Sequence, residues 1–160
     1  MYVSLTDDAS ILKDDLVEKY RNFYTSDAKN NELAAKLSLA TVYLFDDLPD
    51  LAEDIIIQLQ AMAPREPRVM LLDCLTTLKL NPMRKIKLTT IEDLLSKLNI
   101  VLQNGSDEEL SSAIQIARYI DECYYVRNGI LRNKLLQRIL TQYAGFDGHN
   151  DSLINQILSN

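Results

Sequence analysis

The chain has 160 residues, 47% of them hydrophobic and 25% charged, with a formal net charge of -6. This length and balance fit one globular domain with a real core, rather than a disordered chain. The acidic excess argues against general nucleic-acid binding and against adhesion to anionic membranes, since both need clustered positive charge.

Only 4 Gly and 4 Pro interrupt the chain, which favours long helices over a turn-rich β fold. No stretch approaches the roughly 20 apolar residues of a membrane span. The acidic start MYVSLTDDAS has no apolar core, so no secretory signal is expected. Cys74 and Cys123 sit among apolar helical neighbours at a spacing that fits neither zinc nor redox motifs. Buried, reduced thiols are expected, and with them a cytoplasmic or nuclear setting.

Residues 7–24 read as the first helix. Ile11, Leu12, Leu16, Tyr20, Phe23 and Tyr24 form its stripe, and Asp7, Asp8, Asp14 and Asp15 load its N-terminal half. Ser26 or Asp27 suits the cap of a second helix running to about Phe45. The polar break Asp46-Asp47-Leu48-Pro49 follows, and Pro49 fits the first turn of a third helix that stops near Ala63, before Pro64. Together these two make an αα-hairpin whose apolar seam asks for neighbours.

Pro67 opens a fourth helix in the same manner. Val69, Met70, Leu72, Cys74, Leu75 and Leu78 make it apolar nearly all round, which predicts deep burial until Pro82 ends it. Residues 81–88 read as a basic-tinted loop. Thr89 with Glu92 has the spacing of a capping box, which starts a fifth helix with the stripe Ile91, Leu94, Leu95, Leu98, Val101 and Leu102. Asn104-Gly105 is a stop, with Gly105 expected in the left-handed region. Ser106 with Glu109 is a second capping box, and Leu110, Ala113, Ile114, Ala117, Ile120 and Tyr124 follow it. Arg127-Asn128-Gly129 either breaks this helix or only weakens it. A seventh helix is expected over 130–143 on Leu131, Leu135, Ile139 and Tyr143. The turn GFDGHND then leads to a short helix over 151–158. No β alternation of any length is present. The chain stops without a polar tail, as a fragment of a longer protein would.

The helix starts at Asp27, Pro67 and Ser106 are about forty residues apart, which suggests helix pairs 27–63, 67–103 and 106–143. Within residues 31–67 the identities add to the spacing. Leu39, Ala40 and Tyr43, then Ala52 and Ile56 on the partner helix, then Pro64, resemble one tetratricopeptide repeat. The resemblance implies that Ala40 and Ala52 let the helices approach, that Tyr43 fills the gap between them and that Pro64 is the stop. Lys36 stands where the family has a large aromatic, Leu59 where it has Ala, and Thr77 occupies the place of Tyr43 in the second pair. The expected fold is therefore all-α, with about seven or eight helices. They form antiparallel hairpins in a short tetratricopeptide- or HEAT-like array, or an irregular bundle. The family resemblance implies a scaffold that binds proteins or peptides.

Signals of chemistry are weak. His149, the single histidine, lies in a Gly/Asn-rich turn without a second ligand, and reads as a solvated loop residue. Asp46, Asp47, Asp50, Glu53 and Asp54 crowd the hairpin turn, where acids belong for capping and dipole reasons. A metal-dependent enzyme built on that turn is the least favoured alternative. No phosphate loop, dinucleotide fingerprint or nucleophile elbow is present. No catalytic residue, cofactor or metal is expected.

Two features can carry binding. Arg127, Arg132, Lys134 and Arg138 form a basic segment on which arginines can fork onto a partner's carboxylates. Arg127, Lys134 and Arg138 share one side if the helix is continuous, and Arg84, Lys85 and Lys87 extend the patch if the fold brings them near. The competing reading is a solvated face with internal ion pairs. The second feature is Tyr119, Tyr124, Tyr125 and Tyr143. Tyr119 and Tyr125 fall outside the stripe of Ile120 and Tyr124, and are the candidates for an interface. The function these features favour is a non-catalytic adaptor or assembly subunit, whose protein partner presents an acidic or amphipathic helical segment. A small helical chaperone holding a client is the alternative.

Overall fold

The computed structural model describes residues 28–146 and 152–159. They form seven α-helices and one π-helical segment, with no strand among the described residues. The expected helix over 7–24, the caps Ser26 and Asp27, and His149 lie outside the described residues. The chain divides into two compact units, Met1–Thr76 and Thr77–Asn160.

In the first unit, α1 (Ala28–Phe45) and α2 (Pro49–Met62) pack on each other as the hairpin the sequence suggests. The turn between them is closed by the backbone. Leu48 N–H donates to Tyr43 O at 2.8 Å and Asp47 N–H to Leu44 O at 3.1 Å, with Asp47 at φ 60°. This is a Schellman closure, which satisfies carbonyls that the helix end leaves orphaned. Pro49 then occupies the first turn of α2, where a missing N–H costs nothing. Ala40, Leu44, Ala52, Ile56 and Leu59 seal the seam. Tyr43 is only half-buried, so Leu44 rather than its ring lies deepest at that end. Lys36 is buried and reaches across to α2, where its Nζ donates to Gln58 Oε1, while Glu32 pairs with it from one turn away at 3.8 Å.

α3 (Pro67–Leu80) buries Val69, Leu72, Cys74, Leu75 and Leu78 of the expected girdle, while Met70 is only half-buried and Leu71 is buried in addition. Thr76 is buried on it without cost because its hydroxyl donates to Leu72 O at 2.7 Å.

In the second unit, α4 (Leu88–Asn104) and α5 (Asp107–Ile120) form the best-packed pair. The turn Pro82–Ile86 precedes α4, held by Lys85 and Ile86 N–H groups on Pro82 O and by the buried Ile86 side chain. That turn delivers the chain two residues earlier than the Thr89/Glu92 pattern implies. Lys87 is the extended N-cap residue, it makes no side-chain cap, and Thr89 is already inside the helix. The expected capping box at Thr89 is therefore not formed, whereas all six residues of the expected α4 stripe are buried.

Gly105 also departs from expectation. Its φ is -81°, so it is not left-handed. A Cβ there would lie 2.7 Å from Val101 O and 3.1 Å from Glu109 Cβ. Close approach, not conformational freedom, is what requires glycine. Ser106 and Glu109 do form the reciprocal box, with Glu109 N–H donating to Ser106 Oγ at 3.3 Å and Ser106 N–H to Glu109 Oε1 at 2.9 Å.

α5 continues without interruption into a π-helical segment, Asp121–Val126. Gly129 then breaks the chain at φ 65°, with Ile130 N–H on Tyr125 O at 2.9 Å and Gly129 N–H on Val126 O at 3.2 Å. This is a second Schellman closure, and it settles the question of one helix or two. Residues 130–133 are non-helical, and Asn133 caps α6 (Lys134–Gln142) by accepting Leu136 N–H at 2.8 Å. The helix expected from 130 starts four residues later, and its core face is Leu136 and Ile139. Arg118 caps the far end, donating from Nη2 to Tyr143 O at 3.1 Å and Phe146 O at 3.3 Å. The last helix, α7 (Ser152–Ser159), packs on α5 through its buried Ile154 and Ile157 side. Gln115 Nε2 adds a hydrogen bond to Asn155 Oδ1 at 2.6 Å.

Candidate protein-docking end of the second unit

The α4–α5 hairpin brings the start of α4 beside the end of α5. The two helices pack on each other across the short turn 105–106, which runs them antiparallel. The turn 82–87 and the segment 126–133 therefore lie at the same end of this unit. The fold thus gathers Arg84, Lys85, Lys87, Arg127, Arg132 and Lys134 there, all exposed, with Glu92, Asp93 and Glu122 as the exposed acids among them, Asp93 pairing with Lys97 at 3.1 Å.

The same end exposes aliphatic side chains. Leu131 is 91% exposed, Val126 58%, and Leu88 and Ile130 are also open to solvent. The expectation that Leu131 belongs to a buried stripe is overturned. Gly129 ends the preceding helix and Asn133 starts the next, so Leu131 falls in the link between two caps and turns outward. A Gly followed four residues on by a cap-competent Asn was the signal of this link in the sequence.

Arg132 closes the link. Its Nε donates to Asp121 Oδ1 at 2.5 Å and its Nη2 to Asp121 Oδ2 at 2.9 Å, a bidentate clasp over eleven residues. Asp121 is largely shielded, with 13% of its side chain exposed. Arg132 is thus occupied within the molecule and holds the link that displays Ile130 and Leu131. Arg138 is tied down as well, donating to Asn99 Oδ1 of α4 at 3.3 Å. The helix break separates Arg127 from Lys134 and Arg138, so these three do not form one helical face. Lys134 and Arg138 still share a side of α6, one turn apart.

The tyrosines divide. Tyr125 is 1% exposed and stacks edge-on against Tyr124 at 5.2 Å between centroids. It is an interior residue, not a surface one. The wider turn of the π-helical segment lets the adjacent Tyr124 and Tyr125 both point inward, which α-helical periodicity does not anticipate. The Tyr125 hydroxyl has no hydrogen-bond partner, and burial holds its pKa above the ordinary value, helped by the Glu92 carboxylate, Tyr124 and Asp121. Tyr119 is half-buried beside Cys123. Burial, then the neighbouring Cys123, raises the Tyr119 pKa, and burial likewise raises the Cys123 thiol against the lowering effect of Arg127. Both cysteines are free thiols, Cys74 fully buried and Cys123 partly.

No family model, curated protein or solved structure matches this chain. Among the described residues no group of three or more His, Cys, Asp or Glu side chains is placed to hold a metal ion. None of the described helices is long and apolar enough to cross a membrane. What this end of the unit offers chemically is a fixed aliphatic projection among cations. Such a surface suits a partner that brings carboxylates around an apolar socket.

Proposed function

We infer that this chain is a non-catalytic protein–protein interaction module, an adaptor or assembly subunit, which docks a partner helix or peptide at the basic end of its second unit. The observation that carries this is Leu131, a large aliphatic side chain almost fully in water yet held in place from both sides. The Gly129 turn, the Asn133 cap and the Arg132–Asp121 clasp all constrain its backbone. A disordered or adventitious leucine would not need three constraints. An ordered anchor reduces the entropy lost on binding and marks where a contact concentrates its energy. Arg127, Lys134 and the cations of the 82–87 turn then select a partner bearing acidic residues and speed its approach. Reduced Cys74 and Cys123 suit a cytoplasmic or nuclear setting.

The test uses matched baits, the wild-type chain and Leu131→Asp, in native extract. A stoichiometric partner recovered by the wild type and lost with the variant, at unchanged thermal midpoint, supports this function. Equal recovery by both baits, or no stoichiometric partner on either, refutes it.

A further inference from the structure

The second unit asks for a helix with carboxylates around a large aliphatic residue, and the first unit presents one. The α2 sequence PDLAEDIIIQLQAM carries three acids and no Lys or Arg. Ala52, Ile56 and Leu59 bury one side of it against α1. At 3.6 residues per turn, Asp50, Glu53, Asp54 and Ile57 fall within an arc of about 100° on the opposite side. All four are exposed, Ile57 to 59%, and the exposed Leu51 borders the arc. Nothing in the hairpin needs an isoleucine there, since its seam is complete without it.

We propose that the chain associates head to tail, the acidic Ile57 face of α2 in one copy docking on the basic Leu131 end of a second copy. The proposal rests on the docking role of the Leu131 end and names its partner. The two faces are complementary in charge and each supplies an aliphatic anchor. Because they are different patches, the contact is heterologous. A single such contact leaves one free face of each kind, and so builds chains or closed rings. Salt weakens it, since exposed charges steer and align the faces.

The complete chain is tested by sedimentation velocity from about 5 μM to about 1 mM, a span that covers weak and moderate affinities. The wild type is expected to grow in mass with concentration at low salt and to return to monomer at high salt. Leu131→Asp alone and Ile57→Asp alone each stay monomeric over the whole range, with unchanged helical circular dichroism. Mixed one to one, they form a dimer that grows no further, because each variant retains the face the other lacks. A wild type that stays monomeric overturns the proposal, and so does a mixture that stays monomeric. If the chain is monomeric yet Leu131→Asp still loses a captured partner, the docking role survives and only self-association falls. If Leu131→Asp changes neither measurement, both fall together.

Discussion

Two glycines bracket α5 and its π-helical extension for different physical reasons, and a substitution series separates them. At Gly129 the backbone is left-handed, φ 65°, and a Cβ would meet nothing within 4 Å. The cost of a side chain there is therefore conformational alone. Gly129→Ala should destabilise by about 1–2 kcal/mol, the penalty of a left-handed L-residue, while Gly129→Asn should recover most of it because Asn tolerates this region. At Gly105 the backbone is extended, φ -81°, which any residue adopts. Here the Cβ meets Val101 O at 2.7 Å, a backbone atom that cannot swing away. Gly105→Ala should cost about 1–3 kcal/mol by overpacking, and Gly105→Asn should be no better than Ala. Urea denaturation read by circular dichroism measures all four, with the midpoint shifting at constant slope. Asn rescue at position 129 but not at 105 is the required pattern. Equal effects of Asn at both sites, or a neutral Gly129→Ala, would refute the assignment of the left-handed closure that orients Leu131.

The remaining predictions concern the interior of the second unit. Tyr125→Phe removes a buried hydroxyl that has no partner and should stabilise the fold by about 0.5–1.5 kcal/mol in the same assay; a loss of more than about 1 kcal/mol would show that the hydroxyl is satisfied in solution. Burial holds the folded-state pKa of Tyr125 above the ordinary tyrosine value, so its contribution to stability is intact below that ordinary value and falls as pH rises through the folded one. Alkaline unfolding followed by circular dichroism should therefore begin later in Tyr125→Phe than in the wild type. Ser106→Ala breaks the reciprocal box at the start of α5 and should cost about 1 kcal/mol, whereas Thr89→Ala, outside any cap, should cost less than about 0.5 kcal/mol.

What could be read in the sequence was what local chemistry decides. Pro49, Pro67 and the Ser106/Glu109 box mark helix starts because fixed φ, a missing donor and a reciprocal side-chain bond act over three or four residues. The α4 stripe was legible for the same reason, as one helix face repeats its own signal. Thr89/Glu92 has identical spacing to the true box but fails, because the Pro82–Ile86 turn and buried Ile86 decide where the chain becomes helical. Tyr125 was misplaced because projecting residues at a constant α-helical angle ignores the wider π turn. Leu131 is misplaced because the stripe Leu131, Leu135, Ile139 and Tyr143 sets the helix start at 130, whereas the Asn133 cap delays it to Lys134 and leaves Leu131 outside the helix. All three misreadings place local pattern against tertiary context, and two of them fall in the segment that carries the candidate site.

That coincidence has a physical basis. A helix that simply continued past Val126 would have turned Leu131 wherever its periodicity put it, and would have kept Arg127, Lys134 and Arg138 in one solvated row. The π-helical segment, the left-handed Gly129 and the Asn133 cap interrupt this regular course at three successive points. The π-helical segment serves the core by turning Tyr124 and Tyr125 inward, but the link between Gly129 and Asn133 buries none of its side chains, since Ile130, Leu131 and Arg132 are all exposed. The Arg132–Asp121 clasp then fixes the result, a bidentate cation holding the loop while its side chain stays exposed. A surface that serves only to keep the protein in water has no use for an irregular, clasped link with a leucine at its tip. A surface that must present the same anchor to every partner does, because the ordering is already complete when the partner arrives.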